Sequence, residues 1–210
     1  MKNNYNSIAE NYSEWAFNLK NNDIPESVQQ KLQIIVMDSI GLMASAKKEP
    51  YIVSLIDALK EIGDCVLVGH ENKTSPFNAS IINGTSVHGE DFDDTFEGTP
   101  VHVGAVMVPA MLSVAQTNNL SGQEFLRGLA IGSELICRLA LVAPTAVHRQ
   151  GFHPTAIFGA FGSSIGISSV IGSDIKQMSS ALGIVGSMAS GIIEYLAEGT
   201  STKPVSYTHL

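Results

Sequence analysis

The sequence has few cysteines and no long uninterrupted apolar run, and each shortage argues against a class of protein. Its 210 residues include two cysteines, Cys65 and Cys137, which lie far apart in apolar surroundings and outside any CxxC or CxxH spacing. We therefore expect buried thiols rather than a disulfide or a zinc site. Charges interrupt the apolar stretches, and the first residues form no hydrophobic signal core, so we expect a cytoplasmic protein without a membrane span.

Basic residues are also scarce. The net charge is −8, and between residues 75 and 147 only Arg127 and Arg138 stand against seven acidic side chains. A protein that binds nucleic acid needs a basic surface that follows the phosphates. We therefore predict no nucleic-acid partner, and an anionic ligand would have to be held by a few local cationic groups.

What the chain does contain is typical of close-packed helices. Hydrophobic residues make up 44% of it and aromatic residues only 7%, so small and aliphatic side chains carry the apolar content. Apolar spacing and the capping-box pairs Ser121/Glu124 and Asp174/Gln177 predict an all-α fold with one short strand at 65–68. Gly162 and Gly166 favour close helix contact. The predicted helices cover residues 8–19, 23–46, 51–62, 75–89, 104–116, 121–141, 153–172 and 174–188.

The segment GEDFDDTFEGTPVH, residues 89–102, concentrates acidic side chains between His88 and His102. Three interpretations remain open: a solvated acidic loop, a cation site with carboxylate ligands, or acid–base chemistry by a histidine that a carboxylate orients. If the segment continues a helix, His88, Asp91 and Thr95 fall near one face, whereas Asp93 and Asp94 point elsewhere.

Two further segments hold candidate groups. In GFHPT, His153 stands just before a predicted helix, where backbone N–H groups suit a carboxylate ligand, although a structural loop histidine is the commoner case. In TSTKP, Lys203 follows a small polar run and is either an exposed lysine or an anion clamp. The sequence GSSIG at 162–166 fits the serine-hydrolase pattern but lies inside a predicted helix, so we do not expect a nucleophile there.

Together, three motifs of this chain closely resemble the MmgE/PrpD family. The motifs are NGTSVHGEDFDDTFEGTPVH, GFHPTAIFGAFGSSIGIS and ALGIVGSMASGIIEYLAEGTSTKP, in this order. The resemblance implies a large helical domain whose active site faces a smaller α+β lid, and a homodimer. Residues 1–204 would be an incomplete helical domain, with the lid missing. The last six residues, VSYTHL at 205–210, read like a translated sequencing adapter, so we expect them to be a non-native tail.

The resemblance also implies a function and a set of site residues. The family includes 2-methylcitrate dehydratase, cis-aconitate decarboxylase and iminodisuccinate epimerase, so we expect a lyase that moves a proton next to a carboxylate of a small di- or tricarboxylate. A hydro-lyase like 2-methylcitrate dehydratase, acting in propionate metabolism, is the first expectation. Decarboxylation, epimerisation, a non-catalytic helical domain and an inactive fragment are the alternatives. We expect no cofactor and no metal.

The family's residues fall on five positions of this sequence. Asp91, His102, His153 and Lys203 would be catalytic, and Thr95, His102, His153 and Lys203 would bind the substrate. The two imidazoles and the ammonium would hold carboxylates, and one imidazole would transfer the proton. Asp91 would either orient a histidine, which is the preferred role, or be protonated and donate to a leaving hydroxyl. The chain departs from the family where Val103 follows His102, since proline is usual there, and where one extra residue stands between Thr95 and His102.

Overall fold

The computed structural model describes residues 6–193, and in this range the chain is mostly helical, as predicted. Lys203 and the tail at 205–210 lie outside the described residues. One antiparallel strand pair, β1 (Cys65–Val66) and β2 (Lys73–Thr74), accompanies the helices. The helices are α1 (Ile8–Asn18), α2 (Glu26–Ser45), α3 (Pro50–Ala58), α4 (Pro76–His88), α5 (Val103–Asn118), α6 (Gly122–Val142), α7 (Ala146–Arg149), α8 (Pro154–Val170) and α9 (Ile175–Met188).

Both predicted capping boxes are confirmed. The Ser121 hydroxyl accepts a hydrogen bond from the Glu124 N–H at the start of α6, and the Glu124 carboxylate accepts the Ser121 N–H at 2.8 Å. Asp174 and Gln177 make the same reciprocal pair at the start of α9. These pairs satisfy N–H groups that have no partner inside the helix, and they fix where each helix begins.

The predicted strand at 65–68 is confirmed only in its first half. It comprises Cys65–Val66, and its partner Lys73–Thr74 comes from a stretch where the sequence predicted no helix or strand. The Asn83 side chain also holds this segment, since its amide donates to the Val66 carbonyl at 3.0 Å and its oxygen accepts the Val68 N–H. The two-stranded sheet is therefore short, and Asn83 anchors its first strand to α4.

Helix α8 is central to the packing and contacts α5, α6 and α9. It meets α6 through glycines on both sides, as the Gly162 and Gly166 spacing predicted. A Cβ at Gly166 would lie 2.7 Å from the carbonyl oxygen of Gly128, and one at Gly162 would lie 2.8 Å from that of Gly132. A residue larger than glycine at 162 or 166 would therefore collide with the backbone of α6.

The GSSIG pattern lies in the middle of α8. Ser163 is buried inside this helix and does not stand at a strand-to-helix turn, so the serine-hydrolase interpretation fails as expected. Although α8 is apolar, no helix within residues 6–193 combines the length and hydropathy that crossing a membrane requires.

Candidate active site

Three histidines from three parts of the chain meet at one end of the helical core. His88 ends α4, His102 is the N-cap of α5 and His153 is the N-cap of α8. The ring centroids of His88 and His102 are 4.6 Å apart, and those of His88 and His153 are 5.7 Å apart. The cluster arises because two helices begin where a third one ends.

The acidic segment leaves α4 in a sharp turn. Asp91 adopts a left-handed conformation with φ 60°, and its N–H donates to the His88 carbonyl at 3.2 Å. A Cβ at Gly89 would lie 2.7 Å from the ring of Tyr51, whose hydroxyl donates to the Glu90 carboxylate at 2.6 Å. Burial raises the pKa of Tyr51, so this hydroxyl keeps its proton. The turn ends the helix and sends the following residues back toward His88.

This turn overturns the helical arrangement expected for His88, Asp91 and Thr95. The helix stops at His88, so the spacing of 3 and 7 residues no longer defines a face. The expectation that Asp93 points elsewhere is also wrong, because its side chain is wholly buried against the imidazoles. The cause is the reversal at Gly89 to Asp91, which depends on Tyr51 from α3.

Asp93 is the carboxylate at the centre of the cluster. Its Oδ2 lies 2.5 Å from Nδ1 of His88 and 3.3 Å from Nδ1 of His102. Burial alone raises the pKa of Asp93, but its hydrogen bonds with His102 and His88 outweigh that effect and hold the pKa well below its ordinary value. The group is therefore an anion that two imidazoles stabilise.

Asp94, the next residue, serves α5 instead. Its Oδ1 accepts the Gly104 N–H at 2.8 Å, in the first turn of that helix. A Cβ at Gly104 would lie 2.8 Å from a methyl group of Ile35, so α2 also packs closely there. Burial raises the pKa of Asp94, although the bond from Gly104 opposes the rise. Asp94 thus fixes the start of the helix that carries His102.

Hydrogen bonds at the start of α8 hold His102 and His153, the other two histidines of the cluster. The Thr155 hydroxyl accepts the His102 N–H at 3.0 Å, which ties the start of α5 to the start of α8. Nδ1 of His153 accepts the Ala156 N–H at 3.4 Å, and the residue is 3% exposed. When neutral, His153 therefore carries its proton on Nε2.

The structure brings four of the five sequence-predicted site residues together. Nε2 of His102 is 3.9 Å from Oδ1 of Asp91, and Nδ1 of His102 is 3.5 Å from the Thr95 hydroxyl. The ring of His153 packs edge-on against that of His88, which places His153 in the same cluster. Lys203 lies outside the described residues, so its position stays a prediction.

Sequence reasoning missed two members of the cluster, His88 and Asp93. The sequence places His88 at the start of the acidic segment and near one face with Asp91 and Thr95 but assigns it no role in the site, and it directs Asp93 away from that face. The one available signal was that a histidine stands at the end of an apolar helix beside several carboxylates. Their contact follows from the shape of the loop, which residue spacing does not encode.

The same side chains come near the spacing of a metal site. One ligand atom each of His88, Asp91, Asp93 and His102 lies within 4.8 Å of the others. However, two ligands at about 2.1 Å from a tetrahedral ion stay about 3.4 Å apart, whereas His88 and Asp93 approach to 2.5 Å. This short contact fits a hydrogen bond better than two ligands of one ion.

The low pKa of Asp93 predicts a specific loss of stability in acid. A carboxylate whose pKa is depressed by folding stabilises the fold above its unfolded pKa of about 3.9, and that contribution disappears as the pH falls toward the folded value. We expect the free energy of unfolding to fall more steeply below about pH 4 in the unmodified protein than in Asp93→Asn. Urea unfolding at several pH values checks this, and parallel curves would contradict it.

Comparison with known proteins places this chain in a family. Residues 10–209 match the MmgE/PrpD N-terminal domain. A "cis-aconitate decarboxylase-like protein oryM" of Aspergillus oryzae is 26% identical over 196 residues, which are 88% of this chain and 41% of that protein. The cis-aconitate decarboxylases of Aspergillus terreus and Homo sapiens are 23% and 26% identical and are matched over 85% and 95% of this chain.

The chain thus spans between 38% and 43% of the length of these curated relatives. The family match, by contrast, covers nearly all of this sequence and includes the acidic segment, His102 and His153. On this match, the chain belongs to the MmgE/PrpD family.

Proposed function

We propose that the full-length protein is a lyase that acts on a small di- or tricarboxylate by moving a proton at a carbon next to a carboxylate. The observation that carries this proposal is the cluster in which a buried carboxylate contacts His88 and His102 beside His153. Such chemistry needs a positioned acid–base group and cationic or hydrogen-bonding groups that stabilise the enolate-like state. The cluster has candidates for both.

Imidazoles are the cationic candidates in the described part of the site. Arg127 donates to the Ser169 carbonyl at the far end of α8, and Arg138 pairs with Glu134 on an exposed face of α6. We propose that His102 and His153 contact substrate carboxylates and that Lys203, as the resemblance implies, adds an ammonium group. These groups would offset the net charge of −8, which repels a polyanion.

Two finer activities follow from the same chemistry. In a decarboxylation, the C–C bond to the departing CO₂ breaks and leaves its electron pair on the remaining carbon. An acidic group then protonates that carbon. In a dehydration, a base removes the proton and an acid protonates the leaving hydroxyl. The names of the relatives favour cis-aconitate decarboxylation. Dehydration of 2-methylcitrate, the first expectation from the sequence, is the second candidate and rests on the family resemblance.

The decisive assay uses the natural full-length protein, with the lid domain that the family resemblance implies. Purified protein is incubated with cis-aconitate, 2-methylcitrate, citrate or iminodisuccinate while released CO₂ and water-loss products are measured. CO₂ from cis-aconitate supports the decarboxylase, and an unsaturated tricarboxylate from 2-methylcitrate supports the dehydratase. If no substrate reacts and none raises the melting temperature, the proposal fails and a non-catalytic helical domain remains.

His102→Ala is the variant that tests the proton-transfer role. Removing a positioned acid–base group typically costs about 10²–10⁴-fold in rate, so we expect kcat to fall by that amount with the fold intact. His148→Ala is the matched control, because His148 lies in α7, outside the cluster. Unchanged turnover of a folded His102→Ala protein would remove His102 from the mechanism.

Metal removal separates this proposal from a metal-dependent lyase. We expect turnover to survive exhaustive dialysis against EDTA, because the contact between His88 and Asp93 is shorter than two ligands of one tetrahedral ion keep. Loss of activity that Zn²⁺, Mn²⁺ or Mg²⁺ restores would instead assign the acidic cluster to a metal.

A further inference from the structure

We propose that Asp93 and His88 form a positioning pair that fixes the tautomer of His102, so that Nε2 of His102 is the atom that exchanges a proton with the substrate. This inference rests on the proposed function and deepens it, because it names the atom and the residues that orient it. Neither Asp93 nor His88 is among the residues that the family resemblance implied.

The geometry around Asp93 is the first argument. A single oxygen, Oδ2, faces the Nδ1 atoms of both His88 and His102, at 2.5 and 3.3 Å. An ionised carboxylate only accepts hydrogen bonds, so each imidazole stabilises it by presenting an N–H there, and the Thr95 hydroxyl, 3.5 Å from Nδ1 of His102, can accept from the same N–H. A neutral His102 therefore carries its proton on Nδ1, and Nε2 keeps the lone pair that a base needs.

Exposure gives the second argument. The side chains of His88 and Asp93 are 0% exposed, whereas that of His102 is 15% exposed. Only His102 of these three has an edge that a substrate can reach. Its Nε2 faces the exposed side chain of Asp91 at 3.9 Å, so Nε2 lies on the solvent side of the cluster. The buried pair can act on the substrate only through His102.

The charge of the pair explains why His88 is needed. An ionised carboxylate in the protein interior is costly unless hydrogen bonds compensate for the lost hydration. His88 supplies a donor that never takes part in the reaction, so Asp93 stays ionised while His102 gains and loses its proton. When His102 is protonated, the adjacent anion stabilises the imidazolium, as a buried aspartate does for the histidine of a catalytic triad.

The neighbouring carboxylates do not fit this role. Asp94 accepts the Gly104 N–H in the first turn of α5. The side chain of Asp91 is 58% exposed and faces Nε2, the opposite edge of the His102 ring. Asp91 therefore stands on the side where a substrate arrives, which differs from the orienting role first expected for it. Asp93 is the carboxylate that contacts Nδ1.

The test compares Asp93→Asn with Asp94→Asn in the full-length protein. An asparagine amide at 93 can donate to Nδ1 of His102 and thereby favours the opposite tautomer, with the proton on Nε2. We expect kcat to fall by about 10²–10⁴-fold, as for other wrong-tautomer substitutions, with KM little changed. Asp94→Asn makes the same substitution one residue away and keeps an acceptor for Gly104, so its turnover should fall far less than that of Asp93→Asn.

A spectroscopic readout makes the test independent of turnover. In protein labelled with ¹⁵N-histidine, the ring-nitrogen shifts of neutral His102, assigned with His102→Gln, report which nitrogen is protonated. We expect Nδ1–H in the unmodified protein and Nε2–H in Asp93→Asn. Nε2–H in the unmodified protein overturns the inference even if Asp93→Asn does not fold.

The kinetic outcomes separate the two proposals. If the unmodified protein turns over a carboxylate and Asp93→Asn matches it, the positioning role is wrong while the lyase function stands. If the unmodified protein has no activity, the proposed function fails. The tautomer measurement then still decides whether Asp93 orients His102.

Discussion

Replacing His88 with leucine is expected to lower the free energy of unfolding by about 3–5 kcal/mol, because it removes a partner from a buried ion-pair arrangement. Asp93 would keep its charge with a single weaker contact, to His102 at 3.3 Å, and its side chain would stay 0% exposed. Leucine fills a similar volume, so the loss reports the uncompensated carboxylate more than a cavity. Urea unfolding followed by circular dichroism measures it.

A double-variant cycle identifies the cause of this loss. If the cost comes from the buried carboxylate, adding Asp93→Leu to His88→Leu should restore part of the stability, since apolar replacement of both partners is often neutral or better. His148→Leu outside the cluster should cost less than about 1 kcal/mol. Additive losses from His88→Leu and Asp93→Leu would mean that the two side chains do not stabilise each other.

The sequence predicted those parts of the fold that local rules determine. Each capping box needs only two residues three positions apart, and both predicted boxes form. The glycine spacing in α8 likewise indicated a close helix contact before its partner was known. Gly128 and Gly132 on α6 turned out to be that partner, and the sequence alone did not connect the two helices.

The centre of the site was not predictable in the same way. The direction in which Asp93 points depends on the left-handed residue Asp91, and Asp91 follows a glycine that packs against Tyr51. These contacts join residues about 40 positions apart. A helical continuation was the reasonable local expectation, and tertiary contacts overrode it. The family resemblance identified Asp91, Thr95, His102 and His153 as neighbours, but it did not identify the carboxylate that contacts two imidazoles.

The close approach of α6 and α8 predicts a second large effect, in Gly132→Ala. The added Cβ would lie 2.6 Å from the Gly162 carbonyl oxygen, and a backbone atom cannot move aside as a side chain can. We expect the free energy of unfolding to fall by about 2–3 kcal/mol, which is in the upper part of the range for overpacked cores. Alanine favours helix over glycine, so this loss would occur against the local propensity.

Gly183→Ala is the matched control, and it separates packing from propensity. Gly183 lies in α9 with open space around its Cα, so the same substitution should raise the free energy of unfolding by about 0.5–1 kcal/mol. The opposite signs of the two changes would show that the helix contact decides the outcome at Gly132.

The contact between α6 and α8 also affects the site, because α8 carries His153 and Thr155 at its start. If α8 moves away from α6, the hydrogen bond from the His102 N–H to the Thr155 hydroxyl is lost. Turnover should therefore fall in Gly132→Ala but not in Gly183→Ala. Equal stability of the two variants would mean that the helices separate without cost, and the position of His102 would then need another explanation.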